Sequence, residues 1–336
     1  MEENLGNNNL TDQSKTDLEP KSKGFSKLKL KISLLNVLLL IFCALYIATI
    51  FISFKVINTR NEVFPYKKSG GISKNKIAVI PIYGPIYKKE YSAYEKGSDL
   101  IVSMIKKYGE DKDVKAIVLD INSPGGSVGA VQEIYSQIKK IKEKYKKPFV
   151  AHFGDVSASG GYYIASACDK IVANSGSITG SIGVIFSFMQ GDELFKKIGI
   201  KSNVIKSGKF KDIGSFAREM TKEEREILQA MIDDTYNTFV EVVSQGRNIP
   251  KEKVKEIADG RIFTGKQALS VGLVDRIGDL YDALNEAGKL CGLGENPSFI
   301  RAKSGFLDEF FSVIDSKLSF FKSEASYPLL EYRWSY

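Results

Sequence analysis

Ser159 lies in the stretch Ser157-Ala158-Ser159-Gly160-Gly161, after an apolar run at Phe149–Phe153 and before a helical run at Tyr162–Ala167. A serine placed where a strand turns into a helix stands beside backbone N–H groups that have no partner within the helix. An acyl-transfer nucleophile needs that setting, a presented hydroxyl with donors next to it for the oxyanion. The same residues also suit a plain helix cap followed by glycines for a tight turn, so residues elsewhere must decide. The first are Ser123-Pro124-Gly125-Gly126-Ser127, directly after the continuous apolar strand Ala116–Ile121. Glycines there let backbone N–H groups approach a ligand closely. Opposite Ser159, the N–H groups of Gly126 and Gly160 would form an oxyanion hole. A phosphate loop is the usual alternative, but no Gly-Lys-Ser/Thr follows.

A serine nucleophile needs a base, and the chain has one histidine, His152. It lies inside a strand pattern and reads as structural, so the base must be another group. A lysine serves if burial lowers its pKa toward neutrality, whereas an exposed lysine stays protonated. The segment Lys206-Ser207-Gly208-Lys209-Phe210-Lys211-Asp212-Ile213-Gly214-Ser215 offers three, and spacing leaves Lys206, Lys209 and Lys211 open. One histidine and three distant cysteines, Cys43, Cys168 and Cys291, give no metal spacing and no disulfide framework. Neither a metal nor a cofactor is expected.

Alternating elements must position these groups. Strands are expected at Ile77–Ile82, Ala116–Ile121, Phe149–Phe153, Lys170–Ala173 and Ser202–Ile205. Helices are expected at Leu100–Tyr108, Val128–Tyr145, Thr221–Ser244, Lys251–Ala258 and Leu280–Leu290. Thr221 and Glu224 have capping-box spacing. The order predicts an α/β fold with a parallel sheet.

The remainder bounds class and location. The net charge of +8 comes from 48 Lys and Arg against 40 acids, scattered over helices and the N-terminal arm, so no nucleic-acid groove is expected. Residues 1–31 read as a disordered arm ending in Lys21, Lys23, Lys27, Lys29 and Lys31. Ile32–Phe54 carries no charge. As a helix it would span about 34 Å, enough for a hydrocarbon core of about 30 Å. No cleavage site follows it, which favours a retained anchor over a signal peptide. The lysine bias places the N-terminus in the cytoplasm and the rest outside, as a single-pass protein of the cell membrane. Residues 55–76 then form a stalk, 77–296 the catalytic domain and 297–336 an aromatic tail.

The ordered set SPGGS, SASGGYYIA, GSIGV and SGKFKDIGS resembles the signal peptide peptidase A family, in its short form with one catalytic domain. The likeness runs from about Ile77 to Leu290. It implies a fold of the caseinolytic protease and crotonase group, built from repeated ββα units. It implies Ser159 as nucleophile, Lys211 as general base, Ser181 as the serine that orients that lysine, and Gly126 and Gly160 as the oxyanion hole. It further implies a homo-oligomer, a ring of eight with dyads completed between subunits. The implied substrates are remnant signal peptides and other apolar peptides at the membrane. Competing readings are a related membrane quality-control peptidase, or a crotonase-type acyl-CoA enzyme or inactive scaffold that uses the same oxyanion loops without Ser159 and Lys211.

Overall fold

The computed structural model describes residues 37–49, 74–88, 97–302 and 330–334. The chain divides into two units, Met1–Lys68 and Ser69–Tyr336. In the first, residues 37–49 form a helix, α1, of uncharged and exposed residues, Phe42 being 73% exposed. The rest of the expected span, 32–36 and 50–54, lies outside the described residues, as does the arm 1–31. No helix among the described residues is long and apolar enough to cross a membrane.

The second unit is a mixed α/β fold on a parallel sheet, as the element order predicts. β1 (Lys76–Tyr83), β2 (Val114–Ser123), β4 (Phe149–Ala158) and β5 (Lys170–Ala173) form its centre, flanked by β10 (Phe299–Arg301) on one side and β9 (Arg276–Ile277) on the other. These neighbours all run parallel. The central strands are β-branched and apolar without a polar face because both faces are covered. Alternate residues feed separate clusters. Ile80, Leu119, Ile121, Ala151 and Phe153 join the larger one, with Ile101 and Ile105 of α2 (Ser98–Glu110) and Ile134 and Ile138 of α3 (Val128–Tyr145). Ile77, Val79, Val118, Val150 and Val172 pack on the other face against Ala283, Leu284 and Ala287 of α9 (Leu280–Leu290).

Past Phe153 the sheet changes partners. The β2–β4 register shifts between Ile121 and Ser123. The end of β4 then pairs with β6 (Ile178–Gly180), which pairs antiparallel with β8 (Ile262–Thr264). α4 (Gly160–Ala165) leaves β4 directly, and every one of its residues is buried. A second, antiparallel sheet stands over this end, with β11 (Leu330–Arg333) between β3 (Gly125–Ser127) and β7 (Ile185–Phe186). The segment after Pro297 thus supplies an edge strand of the main sheet and the middle strand of the small one.

α6 (Lys222–Arg247) has two characters. Its C-terminal part is core, with Phe239, Val240, Val242 and Val243 buried, whereas before it only Glu224 is buried. Thr221 and Glu224 form the expected capping box. The Ser202–Ile205 strand does not form, and these residues are exposed without regular structure. Shorter helices complete the unit: α5 (Asp192–Lys197), α7 (Lys251–Ile257) and α8 (Gly265–Ser270).

Candidate active site

Ser159 sits at the junction of β4 and α4 with φ 53° and ψ −113°. That left-handed geometry costs a serine about 1–3 kcal/mol and persists only where its surroundings enforce it. They do so from both sides. The Ser159 N–H donates to the Gly180 carbonyl at 2.8 Å, and the Tyr163 N–H donates to the Ser159 carbonyl at 2.8 Å. Two residues earlier the chain is tied by side chains: the Ser157 hydroxyl donates to the Ile121 carbonyl and the Thr179 hydroxyl to the Ser157 carbonyl. The turn therefore presents the Ser159 hydroxyl at a fixed place.

Ser181 follows Gly180 in a second left-handed turn, with φ 48°. Its N–H donates to the Arg261 carbonyl at 2.8 Å. Ser159 and Ser181 line one cavity of about 500 Å³, together with Val184, Ile232, Asp233, Tyr236, Asp259 and Arg333 among others.

The glycine loop lies against Ser159. A Cβ on Gly125, whose φ is +97°, would fall 2.6 Å from the Gly160 nitrogen and 2.0 Å from the Tyr332 carbonyl oxygen. Only glycine allows that approach. Gly126 is fixed by the main chain on either side of it, since Ile86 N–H donates to the Gly125 carbonyl and Ser127 N–H to the Ile86 carbonyl. The loop thus meets the Ser159 turn through Gly125 and Gly160, and Gly160 carries the N–H immediately after Ser159.

β11 lies along this loop as an extended chain would in a peptide groove. Tyr332 is opposite Gly126 and Arg333 opposite Gly125, and the Trp334 N–H donates to the Pro124 carbonyl at 2.8 Å. The Tyr332 ring is fully buried, stacked on Tyr163 at 5.0 Å and tilted against Phe239 at 4.8 Å. Its hydroxyl donates to the Thr235 carbonyl, and burial pushes its pKa well above the usual phenol value. The sequence motifs do not reveal this strand, because its partner lies some two hundred residues earlier and three glycine-rich positions carry no strand pattern.

The lysine segment is elsewhere, and Lys211 is not among the residues lining the Ser159 cavity. It stands on a turn closed by Lys211 N–H to the Gly208 carbonyl and Ser215 N–H to the Asp212 carbonyl. The three candidate lysines are distinguishable there. Lys206 Nζ donates to Asp212 Oδ1 at 2.5 Å, and Lys209 Nζ pairs with Glu223. Lys211 is exposed and has no ion-pair or hydrogen-bond partner for its ammonium among the described residues.

His152 is buried and tied to structure. Its Nδ1 is 2.8 Å from Asp120 Oδ1, and the same carboxylate accepts from Tyr83 and from Arg301. Burial alone would raise the Asp120 pKa, but the hydrogen bonds from His152 and Tyr83 and the Arg301 charge hold it below the usual value. His152 is not among the residues lining the Ser159 cavity. The three cysteines are free, and burial pushes the Cys168 thiol up to about 12.

Comparison with known proteins agrees with this geometry. The model for peptidase family S49 matches residues 141–294, and that for Clp protease matches residues 88–174. A putative protease of Synechocystis is 49% identical over 69% of this chain and 79% of its own length. A putative signal peptide peptidase of Enterococcus faecium is 38% identical over 70% of this chain and 69% of its own. Protease 4 of Haemophilus influenzae is 35% identical over 77% of this chain, which spans 42% of that longer protein. With the strained serine, the glycine loop and relatives of these lengths in agreement, the chain belongs to peptidase family S49, as a serine protease of the signal peptide peptidase A type.

Proposed function

We propose that the protein is a membrane-anchored endopeptidase that cuts apolar peptides, remnant signal peptides among them, with a Ser159/Lys211 dyad completed between subunits. The observation that carries this is the contrast between the two groups. Ser159 is buried in a formed site, whereas Lys211 is exposed and unpaired among the described residues. An exposed ammonium is not a base at neutral pH, so a second copy must bury it. The segment bearing it supports that reading, with Met189, Ile198, Val204 and Ile205 all exposed. The two lysines already paired with carboxylates are poorer candidates.

Neutral Lys211 takes the Ser159 proton as the hydroxyl attacks a peptide carbonyl, and the N–H groups of Gly126 and Gly160 hold the oxyanion. Lys211 then protonates the leaving amine, and the same lysine activates water to hydrolyse the acyl-enzyme. Ser181 orients the lysine from within the cavity. Substrate binds extended along Gly125–Ser127 in the place of the chain's own β11, which holds that edge in this structure and must leave it for substrate to pair. The anchor at Ile32–Phe54 holds the domain at the outer face of the cell membrane, and eight copies close the ring. An acyl-CoA enzyme would need no extended groove.

Mixing full-length Ser159→Ala with Lys211→Ala tests this. Each alone is inactive. If dyads form between copies, a co-refolded one-to-one mixture regains about one quarter of wild-type activity, since about one quarter of head-to-tail interfaces pair an intact serine with an intact lysine. A mixture as dead as its parents overturns the shared dyad, and an active Lys211→Ala overturns Lys211 as base.

A further inference from the structure

Arg218 is absorbed by no motif, yet it makes the densest set of charged contacts near Lys211. Its Nε donates to Asp212 Oδ2 at 3.0 Å and its Nη2 to Asp212 Oδ1 at 2.8 Å, a two-pronged grip on the residue next to Lys211. Its Nη1 donates to Glu224 Oε2 at 2.8 Å, and Nη2 also reaches Glu224 Oε1. Glu224 is 2% exposed and closes the capping box at the start of α6. The guanidinium therefore fastens the turn bearing Lys211 to the first turn of a helix whose far end is core.

We infer that Arg218 is a positioning residue for proton transfer: by bridging Asp212 and Glu224 it fixes the Lys211 turn on α6 and keeps the Asp212 carboxylate engaged away from Lys211. This rests on the reading of Lys211 as base. Two further observations support it. The Arg218 hydrogen bonds hold Asp212 well below the usual carboxylate range and Glu224 at about 2, so both carboxylates are charged partners throughout the working range. The geometry also explains why a carboxylate beside the base does no harm. A free Asp212 would instead draw the Lys211 ammonium into an ion pair. The charged groups facing this turn among the described residues are Lys206, Lys209 and Asp212 on its own segment, Arg218 after it, and Glu223 and Glu224 from α6. Lysine in place of arginine carries the charge but lacks the planar fork that spans two carboxylates.

The test compares full-length wild type, Arg218→Gln, Arg218→Lys, Asp212→Asn, the double variant Arg218→Gln with Asp212→Asn, and Lys211→Ala on a fluorogenic apolar peptide from pH 6 to 10. Assembly is followed by sedimentation. A misplaced base predicts a kcat loss of about 10- to 100-fold in Arg218→Gln and a similar loss in Arg218→Lys, with KM near wild type and the assembly intact. In Arg218→Gln the rising limb of the pH profile moves to higher pH. Adding Asp212→Asn returns that limb to its wild-type position while kcat stays low. A merely structural arginine would not produce this reversal. Wild-type kcat and profile in Arg218→Gln, beside a dead Lys211→Ala, overturn the inference and leave the dyad standing. Loss of activity through KM or through disassembly also overturns it. An active Lys211→Ala removes the dyad, and the role of Arg218 with it. Should Arg218→Gln fail to fold, Asp212→Asn alone decides: it cuts the same bridge, and wild-type kcat there overturns the proposal.

Discussion

Ser159 and Lys211 occupy regions of opposite construction. Around Ser159, strands β2, β4 and β6 and the buried helix α4 converge, and the polar atoms bond to one another inside the protein. Around Lys211 there is a short turn held by Arg218, Lys206, Asp212 and Glu224, on a stretch whose apolar residues face solvent. Packing fixes the first region, and charge fixes the second. A nucleophile tolerates burial because its hydroxyl is neutral, whereas an ammonium buried without its partner subunit would carry a large desolvation cost. On the proposed reading, a lysine left outside until a second copy buries it spares the free chain that cost.

α6 joins the two regions and sets their separation. Ile232 lines the Ser159 cavity, while Glu224, eight residues earlier, holds the lysine turn, about 12 Å further along the axis.

The largest break in this contrast is expected from Gly125→Ala. The left-handed backbone and the clash with Tyr332 and Gly160 together cost about 3 kcal/mol, and labelling of Ser159 by a fluorophosphonate is lost while the lysine turn is untouched. Normal labelling would show that the loop has room to move. Asp120→Asn should be next, at about 2 kcal/mol by urea melting at pH 7, because it weakens the bonds from His152, Tyr83 and Arg301. Its folded pKa lies below the unfolded value of about 3.9, so its contribution is full above that value and fades as pH falls through the folded one. The gap between variant and wild type should thus narrow toward pH 3. A constant gap would place the stabilisation elsewhere. Thr221→Ala is the mildest, about 1 kcal/mol for a lost cap, and belongs to the lysine region. It should lower kcat and leave hydrogen exchange in α4 unchanged. Faster exchange in α4 would mean that the two ends of α6 are mechanically coupled.

The sequence was most legible where structure is local or periodic. Ala116–Ile121 reads as a buried strand because every residue but Asp120 is apolar, and Thr221 with Glu224 three residues later announces the start of α6. Ser159 was visible because a strand, small residues and a helix follow one another in the chain. Legibility failed where meaning depends on distant partners. Val204 and Ile205 look like strand residues, yet no strand pairs with them among the described residues. β3 is three residues, two of them glycine, and acquires its ladder only from Glu331–Arg333. Arg218 sits six residues from Asp212 and six from Glu224, a spacing that no helix or strand period singles out before the turn is folded.

The ladder between Gly125–Ser127 and Glu331–Arg333 bears on what such a groove admits. A ladder reads main chain, and main chain can be read only when its N–H and C=O groups are free and spaced about 3.3 Å apart per residue. A helix has spent those groups internally and advances about 1.5 Å per residue. Any chain that pairs with Gly125–Ser127 as Glu331–Arg333 does must therefore be extended before its side chains matter, and a segment still coiled cannot pair there.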